Sequence, residues 1–178
     1  DENSYFKNSL QSFQISNSTF ENYENYIGKQ EQITGFGKVD LTYDISKTKT
    51  FVFSSKYNYG SKKNRNELNF NSDFIDQKLA NKNQLLDQKI VLTNKFKENS
   101  VLLFTLRYIN EKTPQIYTTN KFIYQDIFNT SGNNIEQTSS NKMDFIGFET
   151  HLINRNQNEN IFEIQIGNQF RKDNLLSI

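Results

Sequence analysis

The residues with chemistry to offer are few and scattered. His151 is the single histidine, and nucleophilic catalysis would need it within hydrogen-bond reach of a reactive serine, which no local motif supplies. It stands two residues from Glu149, so both fall on one side of a strand, where a polar lining is the plainer expectation. Gly35-Phe36-Gly37 lies inside an alternating segment with no helix after it, so it does not read as a dinucleotide loop. Asn17-Ser18-Thr19 matches a glycosylation acceptor, a pattern short enough to arise by chance. The chain has no cysteine, which removes disulfides and thiolate metal sites. Neither a catalytic centre, nor a metal site, nor a cofactor is expected from these residues.

Two other sets have binding chemistry. Lys38, Asp40, Lys56, Asp87, Lys89, Arg107, Glu149, Glu163 and Arg171 all occupy the polar phase of alternating segments. Such a set could guide a charged solute, but with both signs interleaved the expectation is ordinary charge paired across strands. The second set is aromatic. Tyr117, Phe122, Tyr124 and Phe128 sit in a polar stretch that reads as a loop, where aromatic rings could grip a ligand. Tyr117, Phe122 and Tyr124 are the candidate ligand-binding residues.

The segments that must position these residues are strands. Leu85 to Ile109 reads as a hairpin. Leu86, Ile90, Leu92 and Phe96 alternate with Asp87, Lys89, Thr93 and Lys95; after the turn Lys97–Ser100, Leu102, Phe104, Leu106 and Tyr108 again share one phase. Side chains alternate across a strand with period two, so one face is apolar and the other largely polar. The arms exceed the usual strand of about 5–6 residues and match the roughly 9–11 that a tilted strand needs to cross a bilayer.

The same pattern predicts strands over Ile33–Ile45, Thr50–Tyr59, Lys142–Ile153 and Ile161–Lys172, and Tyr5–Ile15, which alternates poorly, is read as a further strand, about seven in all. Gly35 and Gly37 predict a kink or bulge in the second of these. Short polar turns are expected at Ser46–Lys49, Lys97–Ser100 and Asn154–Asn160, and long polar connections at Ser16–Gln32, Gly60–Gln84 and Asn110–Asn141, the second with Leu68, Phe70, Phe74, Ile75 and Leu79 available for a strand extension or a short helix. Pro114, the single proline, is expected to mark the exit from the sheet, since it cannot donate to a ladder. Aromatics cluster near the short turns (Tyr43, Phe51, Phe96, Phe162) and near the opposite strand ends (Tyr57, Tyr59, Tyr108, Phe170). Short turns alternating with long loops, and two aromatic levels, are features of outer-membrane barrels. A soluble antiparallel sheet with one apolar face produces the same alternation.

Composition agrees with a barrel. Hydrophobic residues make up 34% of the 178, low for a globular core but sufficient where only alternate strand positions must be apolar. No run approaches the ~20 apolar residues of a spanning helix, so any membrane-crossing structure must be a closed sheet. Lys and Arg number 21 against 20 Asp and Glu, and the basic residues are dispersed, which argues against a nucleic-acid partner. DENSYFKNSL lacks the basic start and apolar run of a signal peptide, so the expectation is an internal piece of a larger protein.

GFGKVDLTYDISKTKTF, LLDQKIVLTNKF and VLLFTLRYINEKTPQIY together resemble the barrel of TonB-dependent outer-membrane receptors of Bacteroidota type, and MDFIGFETHL and FEIQIGNQFRKD look like further strands of it. The resemblance implies that residues 1–178 are a partial barrel domain of an outer-membrane receptor importing a small solute such as a metal chelate, glycan or peptide. It also implies outer-membrane lipid as surroundings and a TonB-type energy-coupling protein reached through a plug. Departures are the missing plug, an end at Leu175-Leu176-Ser177-Ile178 in place of a terminal aromatic, and too few strands for a plugged lumen. In such a barrel Leu41, Phe53, Ile90, Leu92, Phe104, Leu106, Ile164 and Ile166 are expected to face lipid. The alternatives are a soluble β-sandwich binding module and a barrel serving adhesion or structure without transport.

Overall fold

Alternation without any helical period dictates an all-β chain, and the computed structural model is one. It describes residues 2–15, 18–71, 73–97, 99–121, 134–156 and 159–178. Seven strands, β1 (Glu2–Ile15), β2 (Ser18–Ser46), β3 (Lys49–Phe70), β4 (Asp73–Lys97), β5 (Ser100–Thr119), β6 (Ile135–Arg155) and β7 (Ile161–Ser177), form one sheet in sequence order. All neighbours are antiparallel. Each strand touches only its neighbours in sequence, so no second layer covers the sheet among the described residues. The sheet is not closed into a barrel.

Cross-strand pairing collects the apolar phase onto one face. Tyr43, Phe51, Leu92, Phe104, Thr150 and Ile166 lie in one row; Leu41, Phe53, Ile90, Leu106, Phe148 and Asn168 lie in the next. Leu102, Leu152 and Ile164 flank the band on the short-turn side, and Tyr108, Ile146 and Phe170 on the other. All eight residues expected to share a lipid-facing side therefore stand on this one face. Tyr57 and Tyr59 follow one and two rows beyond Tyr108, so the two aromatic levels also lie on it. The apolar face is uncovered: Leu41 is 55% and Ile166 68% exposed, while Ile75 is the one apolar side chain fully buried among the described residues.

The strands run further than their apolar stretches. β2 has 29 residues and β4 has 25, so at about 3.4 Å per residue β2 extends for roughly 100 Å. Most of the residues expected in long connections are strand. Ser18–Gln32 belongs to β2, and Ser18–Glu31 pairs with β1. Gly60–Phe70 and Asp73–Gln84 pair with each other across a tight turn. Asn110–Thr119 and Ile135–Asn141 continue β5 and β6, and residues 122–133 of the expected third connection lie outside the described residues. In these strand extensions apolar side chains are sparse and set among polar ones, so no sustained alternation betrays a ladder carried by the backbone.

Two local expectations are corrected. Gly35 and Gly37 keep continuous register opposite Tyr59 and Tyr57, and the β2–β3 irregularity lies at Asp44/Ser46 by the turn. Pro114 does not end β5; it pairs with Ser140 of β6. Its missing N–H is felt on the other side, where the β4–β5 ladder has no pairs between Asn81↔Gln115 and Gln84↔Lys112.

Asparagines lock the far ends. Asn71 has φ 53° and so takes the left-handed turn position that Asn tolerates. Its N–H donates to the Tyr23 carbonyl at 2.9 Å, and its Oδ1 accepts from the Tyr23 N–H at 3.0 Å. Asn120 pins β5 to β4, accepting from the Asp76 N–H at 2.7 Å and donating to the Phe74 carbonyl at 3.2 Å. Asn71→Val should destabilise the folded protein by about 1–2 kcal/mol, the cost of an ordinary Cβ in left-handed backbone, and Asn71→Gly by less. A urea titration of the three proteins measures this, and equal losses for valine and glycine would show that backbone strain is not what the asparagine relieves.

Candidate functional site

The face opposite the apolar band carries the charge. Asp40, Ser54, Lys89, Arg107, Gly147 and Gln169 form one row across β2 to β7; Lys38, Lys56, Asp87, Ile109, Phe145 and Arg171 form the next. Glu149 lies one row away on the other side, and Glu163 shares the face near the short turns. All nine charged residues singled out from the sequence are thus on one face.

Most of these charges are spoken for. Arg107 grips Asp87 with two hydrogen bonds, Nε to Oδ1 at 2.9 Å and an NH2 group to Oδ2 at 2.8 Å. This fork-to-carboxylate geometry fixes orientation as well as charge. Asp40 takes the Ser54 hydroxyl at 2.7 Å and the Lys38 ammonium at 2.5 Å. Arg171 forks onto Asp173 at 2.8 and 3.1 Å. His151 Nε2 abuts the Glu163 carboxylate across β6 and β7. Among the described residues no group of three or more His, Cys, Asp or Glu is placed to hold a metal ion.

Shape on this face comes from glycines that sequence reasoning passed over. Gly147 and Gly167 lie among Lys89, Thr105, Arg107, Glu149 and Gln169 around a depression of ≈ 540 Å³. A Cβ at Gly167 would meet the Phe148 carbonyl oxygen at 3.1 Å, and one at Gly147 the Phe145 ring at 3.0 Å. A smaller notch of ≈ 210 Å³ lies beside it, among Ser54, Lys56, Asp87, Lys89 and Arg107. The signal available in the sequence was a glycine on the polar phase of each of two adjacent strands. A third hollow, ≈ 330 Å³, opens where Pro114 interrupts the ladder.

Beyond the charged rows the same face changes to aromatic and aliphatic side chains. Tyr5, Tyr26, Leu68, Ile75, Leu79 and Tyr117 stand on it in the strand extensions. Tyr117 is therefore a strand residue, paired with Leu79 and Gln137, and not a loop residue. Phe122, Tyr124 and Phe128 lie outside the described residues. The Tyr5 and Tyr26 hydroxyls are 2.9 Å apart with ring centroids at 5.5 Å, and the Tyr5 ring lies over Gly28, where a Cβ would be 2.2 Å away. The arrangement puts hydroxyl donors and ring faces on the same side of the sheet as the paired charges, further along the strand extensions.

No family model matches the chain, and no curated protein matches it. A solved structure aligned with it is the cryo-EM membrane pore complex of pneumolysin, at 8% identity and a TM-score of 0.14, covering 99% of this chain and 41% of that one. The chain thus spans less than half of that protein's length, and a likeness of this degree carries no argument about fold or function.

Burial, with the Tyr5 hydroxyl beside it, pushes the Tyr26 phenol up from 10.0 to about 12. The folded value lies above the unfolded one, so the phenol's contribution to stability is complete below pH 10 and lost as the pH rises toward 12. In an absorbance titration, one of the nine tyrosines should ionise only near pH 12, and Tyr26→Phe should remove that late step. A titration in which all tyrosines ionise together would show that β1 does not hold Tyr5 against Tyr26.

Proposed function

We propose that these seven strands are part of a closed outer-membrane β-barrel, the barrel portion of a TonB-dependent receptor that captures and imports a small solute. The observation that carries the reading is the uncovered apolar band. A soluble sandwich would pack it against a second sheet about 10 Å away, and the described residues supply a single layer. Lipid is the remaining cover that asks for an apolar band about 25 Å tall between two aromatic girdles. From Phe162 to Phe170 the aromatic levels of β7 are roughly 27 Å apart along the strand.

The edges support closure with further strands. β1 pairs with β2 only as far as Glu31, so among the described residues the Ile33–Ser46 stretch of β2 has no neighbouring strand on that side, and the outer edge of β7 is equally bare. In hydrocarbon each unpaired backbone group costs several kcal/mol, so both edges need strands from elsewhere. The charged face then lines the interior. The strand extensions stand beyond the membrane, carrying Tyr5, Tyr26 and Tyr117 where a solute arrives. The family that the sequence resembles adds the energy-coupling partner, reached through a plug.

Arginine in place of Leu92 should cost about 2–4 kcal/mol at mid-membrane, while Lys89→Arg on the other face should be mild. Spin labels at the two positions of the inserted full-length protein report the surroundings directly. Water contact at Leu92 sinks the barrel reading. For capture, deleting residues 121–134 from the full-length protein should weaken solute binding and leave insertion intact, because the ladder does not depend on that segment. Import at the parental rate by a normally inserted deletion mutant would remove it from the capture site.

A further inference from the structure

On the apolar face, the character changes abruptly beyond the row of Tyr108 and Phe170. The next row holds Lys172 beside Asp144, the one after it holds Lys112 directly opposite Lys142, and the row beyond holds Lys82. Four lysines thus step diagonally across β4 to β7, over three strand spacings and two rows, roughly 20 Å from Lys82 to Lys172. Lys82, Lys112 and Lys172 are exposed.

Asp144 is the single acid in these three rows of the face. It is committed to Lys142 at 2.9 Å, and also accepts from Asn110 Nδ2 at 2.5 Å. Among the described residues no carboxylate pairs with Lys82, Lys112 or Lys172. Other cations of the sheet do have carboxylate partners: Lys63 has Glu31, Arg65 and Lys78 share Asp76, and Arg107 has Asp87. Like charges directly opposite on neighbouring strands are destabilising, so the Lys112–Lys142 pair is tolerable where an anion bridges it. The stripe also starts where the apolar band stops, with Tyr57 and Tyr59 at the same levels, as at a membrane–water interface.

We infer that Lys82, Lys112, Lys142 and Lys172 form a binding stripe for the phosphate groups of anionic lipid headgroups in the leaflet around the long-strand end of the sheet. The inference rests on the reading that the apolar face meets lipid. Charge complementarity and continuity with the apolar band select a lipid over a soluble anion, since the headgroup of a lipid seated against the band lies at the height of the lysines.

The test uses the full-length protein in nanodiscs of mixed phosphatidylcholine and phosphatidylglycerol, with lipids retained by the protein counted by native mass spectrometry. The wild type should retain phosphatidylglycerol preferentially. In the Lys82→Gln, Lys112→Gln, Lys172→Gln triple variant the preference should fall, by roughly fivefold for each lysine removed. The corresponding triple arginine variant should keep it, and Lys38→Gln with Lys56→Gln on the other face should leave it unchanged. Should the triple glutamine variant fail to insert, Lys112→Gln alone carries the comparison. An unchanged preference with a Leu92 spin label in lipid overturns the stripe and leaves the barrel reading standing. Water contact at Leu92 overturns both. Displacement of the retained phosphatidylglycerol by inorganic phosphate would assign the stripe to a soluble anion, and so also overturn the inference.

Discussion

Continuous backbone pairing across one layer is the constraint on which everything else depends. With Ile75 alone fully buried among the apolar side chains described, no core holds the strands together. The ladder does, from Glu2↔Glu31 at one edge to Arg155↔Ile161 at the other. A single such hydrogen bond has a net worth of only about 1 kcal/mol in water, so the sheet gains its persistence from their number and from the medium on each face. The same ladder sorts chemistry. Because partners opposite one another point the same way, one register sends Leu92, Phe104 and Ile166 to one side and Lys89, Arg107 and Gln169 to the other.

Register is correspondingly the quantity the fold must protect. In the central band a slip by one residue would exchange the apolar and charged faces, so the pattern itself specifies the pairing. The strand extensions lack that safeguard, since Lys62, Lys63 and Asn64 of β3 are polar on both sides. There the asparagines substitute for pattern. Asn71 ties the β3–β4 turn to Tyr23 of β2, and Asn120 ties the end of β5 to Phe74 and Asp76 of β4. At the opposite end the irregularities at Ser46 and Lys97 sit beside the tight turns and set the phase of the two hairpins.

The same contrast explains what could be read from the chain in advance. Ile33–Ile45 and Leu85–Ile109 announce themselves because their apolar residues keep to one face, and the turns at Ser46–Lys49 and Lys97–Ser100 follow from them. Ser18–Gln32 and Gly60–Gln84 do not, because apolar side chains as sparse as Tyr26, Leu68, Ile75 and Leu79 leave no sustained periodic trace. Pro114 misleads for a related reason: proline excludes a donor on one side of a strand only, and Ser140 pairs on the other. The charged face was legible as a set, since parity alone places Lys38, Asp87 and Arg107 together. The hollow at Gly147 and Gly167, the placement of Tyr117 among strands and the Lys112–Lys142 juxtaposition depend on which residues meet across strands, and one chain read along its length does not contain that.

Pairing in strict sequence order has a kinetic meaning. Every strand finds its partner next door, so most pairings can zip outward from a tight turn with little loop entropy to overcome. The join between β5 and β6 is different, because Asn120–Asn134 must close before Thr119 meets Ile135. The Asn134 N–H to Asn120 carbonyl contact at 3.2 Å clasps that closure. Assembly of this sheet is therefore divided into two locally nucleated blocks, β1 to β5 and β6 to β7, whose docking along the β5–β6 seam is the step with the largest entropic cost.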